Sequence, residues 1–227
     1  MDDSNQSFPN SIDTAHAKFV HPLSTNPKKS HATQAARLLV PYWKLMRYHF
    51  QAEQWLPYPL ETVFAFFADP ANLPRLMPDW QQARIDSSTF IPPPPPPTPF
   101  PGSDNITAGT GTRLTITIRP LPFLPIRLPW DAAIEDFRWL EGFCDTQERG
   151  PFAYWRHCHT VRPETRDNIP GTHLRDAVEY TPPLGPLGAI ANALFLRHQL
   201  AATFKFRQQR TLQLLARKAP EARPIPA

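Results

Sequence analysis

Asp145, His157, His159 and Asp176 have the side-chain types and spacing for polar chemistry. His157 and His159 are two apart, so on a strand they share a face. Around Gly150-Pro151, residues 143–149 and 153–162 read as a β-hairpin. A three-residue turn centred on Pro151 would set Asp145 opposite His157 and Gln147 opposite Trp155. Phe143, Asp145, Gln147, Trp155, His157 and His159 then occupy one face, and Cys144, Arg156 and Cys158 the other. On the next strand Leu174, Asp176, Val178 and Tyr180 share a face whose apolar content turns it inward. Asp176 should then lie near His157 or His159, depending on register.

Such a cluster fits several roles. Its members can satisfy one another and pin strand register. They can orient the polar end of a ligand. They can act as acid and base, with His157 paired to Asp145 or Asp176. His157-x-His159 also has a spacing that zinc uses, with Asp145 or Asp176 as a further ligand. His-x-His is common on strands without metal, so neither a metal nor a cofactor is assigned. Every serine lies at or before Ser103, outside the expected core, which argues against a serine nucleophile. Cys158 stands between the histidines but faces away from both, which argues against a Cys–His pair. Gly109-Thr110-Gly111 lacks the further glycine of a dinucleotide loop.

A sheet and one long helix must position these groups. Residues 47–56 alternate as a first strand, with Phe50, Ala52, Gln54 and Leu56 on one face. Residues 60–68 form a short amphipathic helix and 71–77 a second. Further strands are expected over 80–86, 112–118, 126–137, the hairpin, and 174–180, the last after a loop marked by Asn168 and Pro170-Gly171. Pro129 suits an edge strand or a bulge. Residues 185–218 read as one helix, started near Pro182, Pro183 and Pro186 and stopped by Pro220. Its stripe is Ile190, Leu194, Ala201, Phe204 and Leu215, interrupted by Arg197 and Gln208, so its partner surface should offer something polar. The expected class is α+β: a curved antiparallel sheet gripping one long C-terminal helix, with two short helices after the first strand.

That order resembles the helix-grip fold of the START-like, or SRPBCC, superfamily, which includes polyketide cyclases and lipid-transport proteins. "EQWLPYPLETVFAFFADPANLPRLMPDW" looks like the family's first strand and two helices. "GPFAYWRHCHTV", "DAVEYTPPLGPLG" and the final helix look like a bacterial ligand-binding branch. The resemblance spans residues 47–216 and implies a cavity between sheet and helix that holds a hydrophobic small molecule. The alternative is a cyclase or hydratase using the His–Asp pair. Candidate ligand contacts are Phe50, Gln54, Phe143, Asp145, Gln147, Trp155, His157, His159, Asp176, Tyr180, Leu194 and Arg197.

Residues 1–44 and 218–227 are expected to be disordered, leaving 45–217 as the folded unit. Met46 stands just before the first strand and is a second candidate start. Residues 88–107 carry six consecutive prolines, Pro92 to Pro97, expected as a polyproline II insertion between strands. A docking module presenting that loop is a third functional class. Two cysteines without CxxC imply a reducing compartment. With no leader and no apolar run of ~18 residues, a cytoplasmic protein is expected. Net charge is +4, too weak to imply nucleic acid without a recognition motif. No acidic residue lies between Glu179 and Glu221 while six cations do, which suits a solvated face or transient docking on an anionic membrane.

Overall fold

A computed structural model describes residues 18–20, 47–96, 106–121, 123 and 125–218. Among the described residues eight strands form one antiparallel sheet: β1 (Lys18–Val20), β2 (Tyr48–Leu56), β3 (Arg84–Thr89), β4 (Arg113–Ile118), β5 (Leu128–Arg138), β6 (Gly142–Arg149), β7 (Tyr154–Arg166) and β8 (Ile169–Thr181). Their order is β1-β2-β8-β7-β6-β5-β4-β3, and the sheet is curved and unclosed. Helix α1 (Leu60–Ala68) and three single 3-10 turns at Pro70–Asn72, Pro74–Leu76 and Asp79–Gln81 follow β2. The C-terminal helix runs through α2 (Pro186–Ala191), a π segment (Asn192–Leu196) and α3 (Arg197–Lys218). This is the helix-grip architecture expected from the element order.

Alternation decides which side of the sheet is inside. Leu114, Ile116 and Ile118 are buried on β4 while Arg113, Thr115 and Thr117 are not. Phe50, Ala52 and Leu56 on β2 and Leu174, Val178 and Tyr180 on β8 do the same. Phe204, Leu214 and Leu215 of α3 press onto that inner face. The polar interruption at Gln208 has its partner: Gln208 Nε2 donates to the Glu53 carbonyl at 3.1 Å, and Gln54 Nε2 donates to the Gln208 carbonyl at 2.9 Å. This reciprocal clamp fixes α3 on β2.

Several expectations are corrected. The second short helix is a chain of 3-10 turns, because Pro70, Pro74 and Pro78 interrupt any continuous α ladder. Trp80 lies in the last of them, so the strand begins only at Arg84. Pro129 is on an interior strand, but β5 pairs with β6 only from Asp131 onward, so the proline lies beyond the end of that ladder. The β7–β8 connection is not a long loop. Arg166 pairs with Ile169 across Asp167-Asn168, both left-handed at φ 49° and 63°, as a two-residue hairpin turn requires. Pro170 and Gly171 belong to β8. A Cβ on Gly171 would lie 2.5 Å from the Leu56 carbonyl oxygen and 2.8 Å from the Trp55 ring, so only glycine fits this close approach.

Within the stretch expected to lack structure, Lys18–Val20 pairs with β2; the rest of 1–44 lies outside the described residues. The proline insertion docks in its first part. Thr112 Oγ1 accepts from Ile91 N–H and donates to the Ile91 carbonyl, both at 3.0 Å, and Trp139 Nε1 donates to the Pro94 carbonyl at 2.7 Å. Residues 97–105 and 219–227 lie outside the described residues. Cys144 and Cys158 form a disulfide rather than two thiols. The hairpin register sets them directly opposite, with Cα atoms 4.0 Å apart; no CxxC spacing is needed when strand pairing makes the approach.

Candidate functional site

The β6–β7 hairpin pairs Phe143 with His159, Cys144 with Cys158 and Asp145 with His157, as the strand parity predicts. The turn differs: the connection is longer than three residues, and Gln147 pins it. Its Nε2 donates to the Phe152 carbonyl at 2.7 Å, and its Oε1 accepts from Phe152 N–H at 3.3 Å. On the other side of β7, His159 pairs with Asp176 of β8.

Three strands therefore bring one cluster together. His157 Nδ1 lies 3.2 Å from Asp145 Oδ2, and His157 Nε2 lies 3.0 Å from Asp176 Oδ1. His159 Nδ1 is 2.7 Å from the same Asp176 oxygen, misaligned for a hydrogen bond. His157, His159 and Asp176 are buried, while Asp145 keeps 23% of its side chain exposed. Burial opposes charge on every one of these groups. For His157 the two carboxylates overcome burial, and the imidazole is raised above its ordinary value. Burial likewise pushes Asp145 and Asp176 up, but the imidazoles beside them prevail and hold both carboxyls low. For His159, burial and the charge on His157 outweigh Asp176, and the imidazole is lowered. The arrangement favours the charged form of His157 between two carboxylates and the neutral form of His159 beside it.

The cluster forms part of the wall of a cavity of about 430 Å³. Leu73, Leu76 and Met77 of the 3-10 segment, Leu114, Ile116 and Ile118 of β4, and Trp130, Ala132 and Ile134 of β5 supply apolar wall. Phe143, Asp145, Trp155, His157 and His159 face it from β6 and β7; Thr203, Phe204 and Arg207 face it from α3. Its volume is that of a small-molecule site, and its wall is apolar with a few convergent polar groups.

Seven of the candidate contacts do not line it. Asp176 stands behind the histidines. Phe50 and Tyr180 are buried on the β2–β8 half of the sheet, which α3 fills through Phe204, leaving no space there. The Tyr180 hydroxyl donates to Asn192 Oδ1 at 2.7 Å, and burial pushes its pKa up to about 12. Gln54 clamps α3 and Gln147 pins the hairpin loop. Leu194 is 75% exposed, and Arg197 is also on the outer surface. For Leu194 the reason is the π segment. Its wider turn shifts the phase of the helix, so Ile190 and Leu194 do not continue the stripe of Phe204 and Leu215. Arg207, read from sequence as one cation of a solvated face, is only 8% exposed and lines the cavity. Its position three residues after Phe204 on the buried stripe was the available signal.

Asp145, His157 and His159 also place their ligand atoms within 4.8 Å of one another. A metal would have to displace one carboxylate from His157, because both ring nitrogens are engaged. The arrangement fits an ion-paired cluster better than a metal centre.

A family model described as "Polyketide cyclase / dehydrase and lipid transport" matches residues 56–205. No curated protein sequence matches the chain. Among solved structures, the chain is similar to norcoclaurine synthase from Thalictrum flavum in complex with dopamine and hydroxybenzaldehyde. The identity is 14%, covering 85% of this chain and 100% of that one, with a TM-score of 0.50. Ara h 8.0201 is similar at 13% identity, covering 76% and 99%, with a TM-score of 0.48. The protein TTHA0849 from Thermus thermophilus is similar at 16%, covering 73% and 98%, with a TM-score of 0.47. At such identities the likeness concerns the fold alone.

Proposed function

The chain belongs to the polyketide cyclase / dehydrase and lipid transport family, and we propose that it binds an amphiphilic small molecule, such as a lipid, quinone or polyketide, between sheet and helix. The observation that carries this is the cavity wall: apolar side chains from the 3-10 segment, β4, β5 and α3, with Asp145, His157, His159 and Arg207 along one stretch. An apolar body buried there gains roughly 25 cal/mol per Å², and the polar stretch orients its other end. The exposed Leu184, Leu187 and Phe195 flank the cavity from the start of the C-terminal helix. They support ligand exchange by transient contact with a membrane surface, helped by the acid-free helix. Among the described residues no helix is long and apolar enough to cross a membrane.

The test uses the neutral fluorophore N-phenyl-1-naphthylamine. It should bind the protein with a blue-shifted emission. Ala132→Trp, placed on the cavity wall, should abolish that signal while the far-ultraviolet circular dichroism stays unchanged. Equal binding by the filled variant would remove this cavity as the site.

A second reading, acid–base catalysis, draws support from His159. His157 has both nitrogens engaged by carboxylates, so it is poorly placed to exchange a proton with a substrate. Burial and the charge on His157 lower the pKa of His159, which faces the cavity and packs between the Phe67 and Phe143 rings, at 5.4 Å and 4.8 Å between centroids. It is the better candidate base. Turnover of a polyketide-type substrate that His159→Gln removes without loss of substrate binding would establish this reading.

A further inference from the structure

Arg207 brings a guanidinium to the cavity wall from the middle of α3. Five N–H donors come with it in a planar fork. The residue is 8% exposed. Among the described residues its side chain makes no hydrogen bond and no ion pair within 4.0 Å; its one close partner is the Phe204 ring, 5.2 Å from the guanidinium carbon. The carboxylates that stand nearest in the wall are already used. Asp176 is held by His157, with His159 beside it, and Asp145 is held by His157. Helix α3 has no acidic residue that reaches Arg207 from its own turns. An arginine buried against an apolar space without an acceptor is costly, so its presence there calls for an acceptor that arrives with the ligand.

We propose that Arg207 is the anchor for a carboxylate, so that the ligand is an amphiphilic carboxylic acid whose apolar body fills the cavity and whose headgroup pairs with the guanidinium. This deepens the reading of the cavity as an amphiphile site and rests on it. The planar fork of arginine matches the two oxygens of a carboxylate. The face of Phe204 supports the guanidinium plane from one side, leaving the N–H edges for the headgroup. Asp145 beside it repels a headgroup that drifts toward β6, which confines the carboxylate to the Arg207 side of the polar wall.

The experiment displaces N-phenyl-1-naphthylamine from the full chain with dodecanoic acid and with methyl dodecanoate, which share one apolar body and differ in the headgroup charge. The acid should compete about tenfold better than the ester, or more, as expected for charge-assisted hydrogen bonds. In Arg207→Gln the ratio of acid to ester should fall to near one. Arg207→Lys should keep part of the preference, because a point charge replaces a fork. The ratio is taken within each variant, so a general change in probe affinity does not enter it. Equal competition by acid and ester in the parent protein would overturn the carboxylate assignment while leaving the cavity reading intact; absence of fluorophore binding would overturn both. A preference that survives in Arg207→Gln would move the anchor elsewhere. The ligand-free Arg207→Gln protein should melt at or above the temperature of the parent, since no hydrogen bond or ion pair within 4.0 Å is lost and only the contact with the Phe204 ring goes. A melting point clearly below it would show that the arginine is a structural counter-charge to Asp145 and Asp176, and would also overturn the proposal.

Discussion

Replacing His157 by alanine removes the cation that two carboxylates share. Asp176, with 6% of its side chain exposed, loses its contact at 3.0 Å, and Asp145 loses one at 3.2 Å. One charge-assisted hydrogen bond, to Asp176, is worth ~1.5–3 kcal/mol, and with the ion contact to Asp145 also lost the change is the rupture of a buried pair, at ~3–5 kcal/mol. Near pH 6 the variant should therefore lose roughly 3–5 kcal/mol. At ~2–4 °C per kcal/mol for a domain of this size, its melting point should fall by about 6–20 °C. The pH dependence follows from the directions of the shifts. His157 is raised, so its contribution is full below the unfolded value near ~6.5 and is lost as pH rises through the higher folded value. Asp145 and Asp176 are lowered, so theirs is present above the unfolded value near ~3.9 and is lost as pH falls through the folded values. The cleanest reference combines Asp145→Asn, His157→Ala and Asp176→Asn, since these members of the cluster then no longer titrate. Urea unfolding of parent and reference from pH 3 to pH 9 should show the parent's advantage greatest between ~4 and ~6.5 and smaller on both sides. Asp145→Asn should also be milder in the His157→Ala background than alone. A flat difference across pH, together with additivity within ~0.5 kcal/mol, would refute the shared-cation account.

Thiol titration of protein purified without reductant should find no free cysteine, and two after reduction under denaturing conditions. Opening that 14-residue separation should cost at most about 3 kcal/mol by loop-closure entropy, measured as a lower urea midpoint for Cys144→Ala/Cys158→Ala. Deleting residues 97–105 should leave the melting point within a few degrees, because the contacts of Ile91 and Pro94 remain. Extending the deletion through Ile91 should lower it further, since Thr112 Oγ1, fully buried, then loses both partners.

The sequence by itself determined the order of the main elements from β2 onward, the shared faces of β2, the β6–β7 hairpin and β8, and the Asp145–His157 pairing. Those follow from periods of two and 3.6 residues and from a hairpin whose register strand parity constrains. It also determined that the final helix needs a polar partner at Gln208, because a polar group in an apolar stripe must be satisfied. Three features were decided only by tertiary structure. The Cys144–Cys158 bond depends on two residues meeting across a ladder, which sequence spacing does not show. The exposure of Ile190 and Leu194 depends on one π turn, whose phase shift leaves no mark in the hydrophobic pattern. The cavity itself is a difference in filling between two halves of one sheet. Phe204, Phe50 and Tyr180 close the β2–β8 half, while small Ala132 and the distance of α3 from β4 and β5 leave the other half open. Strand parity can tell that Phe50 and Trp155 point inward, and helical spacing after Phe204 can do the same for Arg207. Whether inward means packed core or ligand wall is set by which atoms arrive from the facing helix, and that is a property of the assembled fold.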